Sequence, residues 1–527
     1  MERQNKIKSR FTTLDSKRLQ HLERCRLCSK LTLPYVLPPN GIDSNQILYE
    51  PYQSKGAEAV NTLASKIWMT MLPPNSGFFK LALSTQVEQE LATRTDVNKS
   101  DLELSLSKLE KIILDEINNR RLRAPAFSAF RHLVITGNVL VYIPKPGQNY
   151  HALTDKGFGL KFFRLDNYVV SRDSLGNVME IVIRETTAFN VLPPELQELV
   201  KQSKEFTPGN NEKNIEVYTR ISRKEGNGRI FVVQQEIAGI PIPESEGEIK
   251  EDELPWFVIR WSHDGDYGRG PVENYLGDFL SLEGLEKAIV EGSLAAAKVI
   301  FLNDPNGTTS SKKIAKAKNG DIIPGRKGDI STIQLEKFAD FRVALEEKGN
   351  LEKRIERAFL MTSAIQRQAE RVTAEEIRVM AGELENTLGG VYSLLSEEFQ
   401  YNLVKLIMEQ LKASKILPNL PDKTLNLIIT TGLEALGRSQ EQNKIRTLAM
   451  ELSEVFGPQV TATYLSPSEY AKRTGTNLGI DTKGLVYTDA QVQQSQQAAN
   501  TSEALKNATP VVAGKIAEGA IKNGKQE

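Results

Sequence analysis

The chain has 527 residues, with 67 Lys plus Arg, 67 Asp plus Glu, and two cysteines. Its length suggests roughly three or four domains. Zero formal net charge excludes a globally basic nucleic-acid coat but leaves local basic surfaces open. Two cysteines cannot build a disulfide framework, so a reducing compartment is expected. The polar start, Met1 to Lys6, leads into no apolar stretch of a secretory signal. The apolar run His132 to Ile143 is too short for a bilayer and is interrupted by Gly137-Asn138, so the chain reads as soluble and intracellular at synthesis.

The segment from about Leu14 to Leu31 reads as a helix, ended by Pro34, Pro38, Pro39 and Gly41. A second helix starts after Ser54, with Ala57, Val60, Ala64, Ile67 and Met71 near the 3.6 period, and Pro73-Pro74 stops it. Ser100-Asp-Leu-Glu103 reads as a capping box before the stripe Leu102, Leu106, Leu109, Ile113 and Ile117. From Gly137 the texture turns to strands: Val139 to Ile143, Leu160 to Val170 and Val178 to Arg184, with a hairpin turn at Ser174 to Asn177. Ile215 to Ser222 and Arg229 to Ile237 flank a second hairpin turn at Glu225 to Gly228, and Trp256 to Trp261 is a further strand.

His263 to Gly270 is a polar, glycine-rich turn, and Pro271 sits where a first-turn proline belongs. One long helix is predicted from Pro271 to about Lys298, although Gly277, Gly284 and Gly292 each cost up to ~1 kcal/mol there. Val299 to Leu302 reads as a strand, Asp304 to Gly307 as a turn and Gly320 to Leu335 as small β-structure. A charged helix follows from Glu336 to Leu360; over Glu336 to Arg357 its acids and bases are equal in number. Thr362 to Arg371 is a polar break, and Thr373-Ala-Glu-Glu376 caps a helix reaching toward Leu411 with a kink at Gly389-Gly390. Leu427 to Thr430 is a short strand and Gln440 to Phe456 a helix. The Gln-, Ala- and Asn-rich C-terminal stretch is expected to be a mobile tail.

Catalytic motifs are scarce. There is no G-x-x-x-x-G-K-[ST], no G-x-S-x-G and no H-E-x-x-H. Cys25 and Cys28, with His21, lack the second ligand pair that structural zinc needs, so two buried thiols are expected. The turn Asp264 to Gly270 is read as leading into a helix through positive φ rather than as a phosphate cradle. No cofactor or metal is expected. The strongest charge asymmetry is Lys312, Lys313, Lys316, Lys318, Arg326 and Lys327 against Asp321 alone.

Seven strings occur in order: Leu33-Pro34-Tyr35, Pro51-Tyr-Gln-Ser-Lys-Gly-Ala57, Asn61-Thr-Leu-Ala-Ser-Lys66, Pro73-Pro-Asn-Ser-Gly-Phe-Phe79, Tyr267-Gly-Arg-Gly-Pro271, Glu370-Arg-Val-Thr-Ala-Glu-Glu-Ile377 and Thr431-Gly-Leu-Glu-Ala-Leu-Gly-Arg438. With them the chain resembles the portal, or head-to-tail connector, of short-tailed phages of the autographivirus type. The resemblance implies an α+β portal fold that assembles as a ring, usually of twelve subunits, at one capsid vertex.

Carried onto this chain, it implies a mixed wing over 1–265, a first stem helix over 266–298 and a small β-containing clip over 299–335. A second stem helix takes 336–360, a tunnel loop 361–374 and a long helix returning to the wing 375–430. A helical crown takes 431–488 and a mobile tail 489–527. It implies Gln366, Arg367, Gln368 and Arg371 as tunnel residues facing DNA, and the six clip bases as a docking surface. The implied partners are duplex DNA, the terminase large subunit, tail adaptor and tail proteins, major capsid and scaffold proteins, and internal core proteins at the crown, with no membrane. The chain would be no enzyme, because the packaging ATPase is a separate terminase. It would sit in the virion at the capsid portal vertex, after a period in the host cytoplasm before assembly.

Charge arithmetic agrees with a conduit. A stem helix of ~24 residues is ~36 Å long, over which duplex DNA carries about twenty charges. One uncompensated base per subunit, repeated around a ring, would rival that charge and hold DNA still. Two other readings are a metal-dependent nucleic-acid-processing enzyme using Asp264 and Asp266, and a scaffold or adaptor protein without a channel. Cleavage of plasmid with divalent metals separates the first, and a monomeric mass the second.

Overall fold

The computed structural model describes residues 7–42, 46–74, 77–84, 87, 99–144, 159–203, 214–243, 245–297, 300–333, 338–361, 380, 382–384, 387–388, 390–418, 425–429, 446–457, 465 and 470–471. It is a mixed helix and strand protein that divides into two units. The larger comprises 1–79, 113–420 and 427–433; the smaller comprises 80–112, 421–426 and 434–527. Among the smaller unit's described residues are most of β1 (Phe79–Leu83), the first turns of a long helix and a helix over 446–456.

In the larger unit, α1 (Ile7–Leu31) starts seven residues before Leu14, because Ile7 and Phe11 continue the buried stripe through a polar run. Next come α2 (Lys55–Met71) and, from Ile113 on, the end of α3 (Lys99–Asn119), where Ile113 and Ile117 are buried. The side chains of Ser100 and Glu103, the predicted capping box, lie outside the described ones. The helix α4 (Arg123–Thr136) was not expected. Eight of its residues are buried, so it lacks the polar face that gives a period. Gly137 ends it in the left-handed region at φ +72°.

Two antiparallel sheets follow. The first joins β10 (Trp256–Arg260), β2 (Asn138–Tyr142) and β3 (Lys161–Phe163), in that order. The second runs β4 (Tyr168–Arg172), β5 (Val178–Ala188), β6 (Asn214–Lys224), β7 (Asn227–Ile237) and β8 (Ile240–Pro241), with β9 (Gly247–Lys250) also on β7. Leu160 to Val170 is therefore not one strand. A 3-10 turn at Leu165–Asn167 moves the chain from one sheet to the other, held by Arg164 on Asp166. The eight-residue helix α5 (Pro194–Lys201), begun by a first-turn proline, lies between β5 and β6. Both expected hairpin turns are present, with Gly176 and Gly226 at positive φ.

Side chains alternate along a strand, and here the alternation buries both faces of the larger sheet. Val170, Ile181, Ile183, Ile221 and Val233 pack with Leu140, Tyr142, Trp256 and Val258 of the smaller sheet. Val169, Val182 and Tyr218 point the other way and meet Ile7, Phe11 and Leu14 of α1. Each such fully buried aliphatic contributes about 1.5–3 kcal/mol.

The glycine-rich turn then crosses the end of α4. Only Gly265 of the three has positive φ. Gly268 and Gly270 are needed for close approach: a Cβ on Gly270 would lie 2.8 Å from Gly137 N and from Val134 O. Asn138 fastens the crossing, donating to Gly268 O and accepting from Gly268 N, both at 2.8 Å.

The predicted single helix from Pro271 is two helices, α6 (Pro271–Asn274) and α7 (Leu276–Ala296), parted at Tyr275. Beyond come β11 (Ile300–Asn303), a short unpredicted helix α8 (Ser311–Lys316), β12 (Ile330–Ile333) and α9 (Phe338–Ala358). Among the described residues of the β-structure expected over Gly320 to Leu335, only β12 is a strand, and it pairs with β11. The later helix contains α10 (Gly390–Leu395), a π-helical turn at Ser396–Tyr401 and α11 (Asn402–Ala413). Among the described residues its irregularity thus falls at Ser396–Tyr401, after the Gly389-Gly390 position where a kink was expected. Arg260 and Gln400 hold that turn: Arg260 N donates to Glu398 Oε2 at 2.7 Å, and Gln400 Nε2 to Met71 O at 2.9 Å. Burial raises the Glu398 carboxyl pKa, against the opposing pull of Arg260 and Arg172. A strand β13 (Leu425–Ile429) follows where Leu427 to Thr430 was expected.

Candidate functional site

The helices α7 and α9 pack against each other in antiparallel order. Lys348 meets Glu286 at 2.5 Å and Arg354 meets Asp278 at 3.3 Å, so α9 advances as α7 recedes. Phe359 closes the base of the pair against Phe279 and Tyr275, with ring centroids 5.7 and 5.9 Å away. The hydrogen bond to Glu286 raises the Lys348 pKa.

On α7, Glu283 is buried and gathers a loop onto the helix. It accepts from Tyr49 Oη at 2.5 Å, Tyr52 N at 3.0 Å and Gln53 N at 3.3 Å. The Tyr49 phenol is pushed up to about 12 by that hydrogen bond first.

The even charge count of the second helix is not evenly distributed. Lys348 and Arg354 are engaged with acids of α7, whereas Arg342, Lys353 and Arg357 are exposed on one face with Glu346. The helix α7 tilts the other way, with Asp278, Glu283, Glu286 and Glu291 against Lys287.

Only Phe279, Leu282 and Glu283 of α7 are buried. Its opposite face carries Gly277, Ser281, Gly284, Ala288 and Ala295, all exposed and all small, with exposed Glu291 in the same row. Leu280 is exposed at its edge, at 45%, while Val290 and Leu294, at 41% and 64%, are exposed farther along the line of Phe279 and Glu283.

Between the two helices, residues 300–333 form a small subdomain built on Asp329. Its Oδ2 accepts from Thr309 Oγ1 at 2.7 Å, Thr309 N at 3.0 Å and Thr308 Oγ1 at 3.3 Å. Those bonds, the Thr309 hydroxyl first, hold its carboxyl below the usual aspartate range. Arg326 N donates to Thr309 Oγ1, closing the ring of bonds.

All six predicted bases, Lys312, Lys313, Lys316, Lys318, Arg326 and Lys327, are exposed on this subdomain. The structure divides them. Lys312, Lys313 and Lys316 on α8 line a shallow groove of about 410 Å³ with Ala317, Asp321, Ile322 and Ile323. Lys318, Arg326 and Lys327 do not line it. The groove was missed in the sequence because it forms only when the chain turns back at Asp321, which accepts from Lys318 N at 2.7 Å.

The other predicted tunnel residues, Gln366, Arg367, Gln368 and Arg371, lie outside the described residues. Just before them, Lys66 of α2 donates to Leu360 O at 2.7 Å, and it also meets Glu383 at 3.0 Å. Lys66 ends the string Asn61 to Lys66, but no local pattern showed this role, because its partners are some three hundred residues away.

The remaining candidates have structural work. Cys25 and Cys28 are both buried free thiols, and burial pushes Cys28 up to about 12. Asp264 accepts from Ser262 Oγ and Asp266 from Arg172 N. Among the described residues, no three His, Cys, Asp or Glu side chains are grouped to hold a metal. Nor is any described helix long and apolar enough to cross a membrane.

The arrangement thus combines two packed sheets, an antiparallel pair of helices with an exposed row of small residues, and a basic subdomain between the two helices. Residues 4–486 match the family model described as bacteriophage head to tail connecting protein, and the chain belongs to that family. It is a head–tail connector of the portal kind, a component of the phage virion at the head–tail junction. The portal protein of Escherichia phage T7 is 36% identical over 512 residues, spanning 96% of this chain and 92% of that protein. The portal protein of Enterobacteria phage T3 is 36% identical over 94% of this chain and 91% of that one. The portal protein of Pseudomonas phage phiKMV is 29% identical over 78% of each. A chain from the virion of a native gene transfer agent particle is a distant likeness, 14% identical over 81% of this chain and 89% of that one, with a TM-score of 0.34.

Proposed function

We propose that this connector works as a closed ring, of twelve subunits, through which DNA is packaged into and ejected from the capsid. The observation that carries the ring is the uncovered face of α7. A lone chain leaves Gly277, Ser281, Gly284, Ala288 and Ala295 in water with Leu280 at their edge, and leaves Val290 and Leu294 exposed farther along the helix. Small residues let a second helix approach closely, and repeated head-to-tail contact either closes into a ring or runs on as a filament. Replacing Ala288 by Glu should abolish rings while leaving a folded monomer.

In this reading 1–265 is the wing, 266–298 and 336–360 are the stem, 299–335 is the clip and 361–374 the tunnel loop. Residues 375–430 return to the wing, 431–488 make the crown and 489–527 the tail. The ring has no reaction of its own. The terminase large subunit and the tail adaptor and tail proteins dock at the clip, capsid and scaffold proteins contact the wing, and core proteins meet the crown.

The clip reading rests on six exposed bases that a ring multiplies into a positive belt. Reversing Lys312 and Lys313 to Glu should leave rings intact and impair packaging or tail attachment; normal packaging and tailing would sink it. In the tunnel, Arg367 is the innermost side chain, and a ring of its guanidinium groups grips phosphates. Arg367→Ala should leave rings intact and weaken retention of packaged DNA, or alter its release. An experimental ring structure with Arg367 buried between subunits would refute that role.

A further inference from the structure

The clip groove combines two features that a simple DNA-contacting surface does not need. One wall is basic, with Lys312, Lys313 and Lys316 all on α8. The other wall is aliphatic, with Ile322 and Ile323, and Ile322 is 98% exposed. Two isoleucines facing three lysines give one groove an apolar wall and a cationic wall. The subdomain is rigid because Asp329 and Thr309 tie its two halves together, and Gly325 is packed so closely that a Cβ there would lie 2.3 Å from Thr309 Oγ1.

The lining also argues against single-stranded nucleic acid, for it offers no aromatic side chain on which a base could stack.

Spacing selects the occupant. Lys312 and Lys316 stand four residues apart on a helix, a rise of about 6 Å. Alternate side chains of an extended peptide recur every 6.4–6.8 Å or so on one side, with the intervening ones on the other. We propose that the groove takes an extended segment of a partner protein in which acidic and aliphatic residues alternate. Its acids meet Lys312 and Lys316, and its aliphatic side chains pack on Ile322 and Ile323. This rests on the reading of residues 299–335 as a docking clip and specifies the chemistry of what docks there.

The test uses the full-length assembled protein and three fluorescent probes: a peptide of alternating Glu and Leu, a peptide of equal composition with Glu and Leu in separate blocks, and a duplex DNA oligonucleotide. Anisotropy should show the alternating peptide binding more tightly than the blocked one. Ile322→Ser should weaken the alternating peptide about tenfold, the scale of one lost aliphatic contact. It should leave duplex binding unchanged. The paired change Lys312→Glu with Lys316→Glu should abolish peptide binding. Because Ile322 is almost fully exposed, its replacement by Ser does not disturb the fold. Equal binding of both peptides, or equal loss of duplex binding in Ile322→Ser, overturns the proposal.

Phage assembly separates this idea from the docking reading. If Lys318→Glu with Arg326→Glu and Lys327→Glu blocks tailing while Ile322→Ser does not, docking stands and the groove assignment falls. If neither set has any effect, both fall. If Ile322→Ser alone lowers tailed or filled particles, with suppressors that place a larger aliphatic residue in a partner protein, both hold.

Discussion

Gly137→Ala should be among the most damaging single-methyl changes in the larger unit. Two costs add. Gly137 sits at φ +72°, where an L side chain costs about 1–2 kcal/mol. Its new Cβ would also lie 2.4 Å from Gly270 N, 2.6 Å from Arg269 C and 2.6 Å from Gly268 O. All three are backbone atoms, fixed by Asn138 and by Trp261 N donating to Gly137 O at 2.9 Å, so none can swing aside. Forcing the crossing apart costs about 1–3 kcal/mol, as overpacking does. The sum is about 2–5 kcal/mol. Gly226→Ala is the control, because Gly226 has φ +80° with nothing within 4 Å of its Cβ position and should cost only the first of the two. Urea denaturation followed by Trp fluorescence measures both. The crossing also sets where α6 and α7 leave the body, so Gly137→Ala should impair ring assembly at temperatures where the body stays folded. Equal midpoints for the two variants would refute the close-approach argument.

Lys66→Met should cost about 2–4 kcal/mol, since it strips a buried carbonyl and a largely buried carboxylate of one cation. Hydrogen exchange at the Met361 amide, bonded to Glu356 O at 2.8 Å, should speed up, and an unchanged rate would show that Lys66 is not the clamp. Burial, the largest cause at each site, pushes both His21 and His132 down to about 4. Because those folded-state values lie below the unfolded 6.5, unfolding takes up protons between pH 6.5 and 4, and stability falls as pH falls through that window. From pH 7 to pH 5 the two together should cost on the order of 3–4 kcal/mol. His132→Phe should roughly halve that slope, and an unaltered slope would contradict the assignment.

The sequence was most legible where one face of an element is buried and the other is wet. In the stripe of α2 and both hairpins of the larger sheet it was legible for another reason, that apolar period and turn chemistry agree there. It was least legible in α4, where the buried residues run consecutively from His132 to Thr136 and so set no helical period. Prolines and glycines marked the turn before α6 correctly but for only part of the reason. Gly265 needs its φ, whereas Gly268 and Gly270 answer to Gly137 some 130 residues earlier, a contact that local pattern cannot contain.

The same distinction holds for function. The six clip bases were visible because they are close in sequence. The groove was not, because Ile322 gains meaning only opposite Lys312 and Lys316. Glu283, Lys66 and the Arg260–Glu398 pair were silent for the same reason: each meets partners more than a hundred residues away. Charge balance, counted along the chain, concealed a basic face on α9 and acidic weight on α7, which separate only once the inner pairs are known.

The central claim is that the exposed face of α7 is covered by a second copy in a closed ring, and the mass of the purified full-length protein, followed by negative-stain imaging, tests it most directly. Twelve chains of 58.8 kDa predict a particle of about 700 kDa with a central hole, reduced to single chains by Ala288→Glu. A 58.8 kDa species at every concentration, with no annular particles, would contradict it.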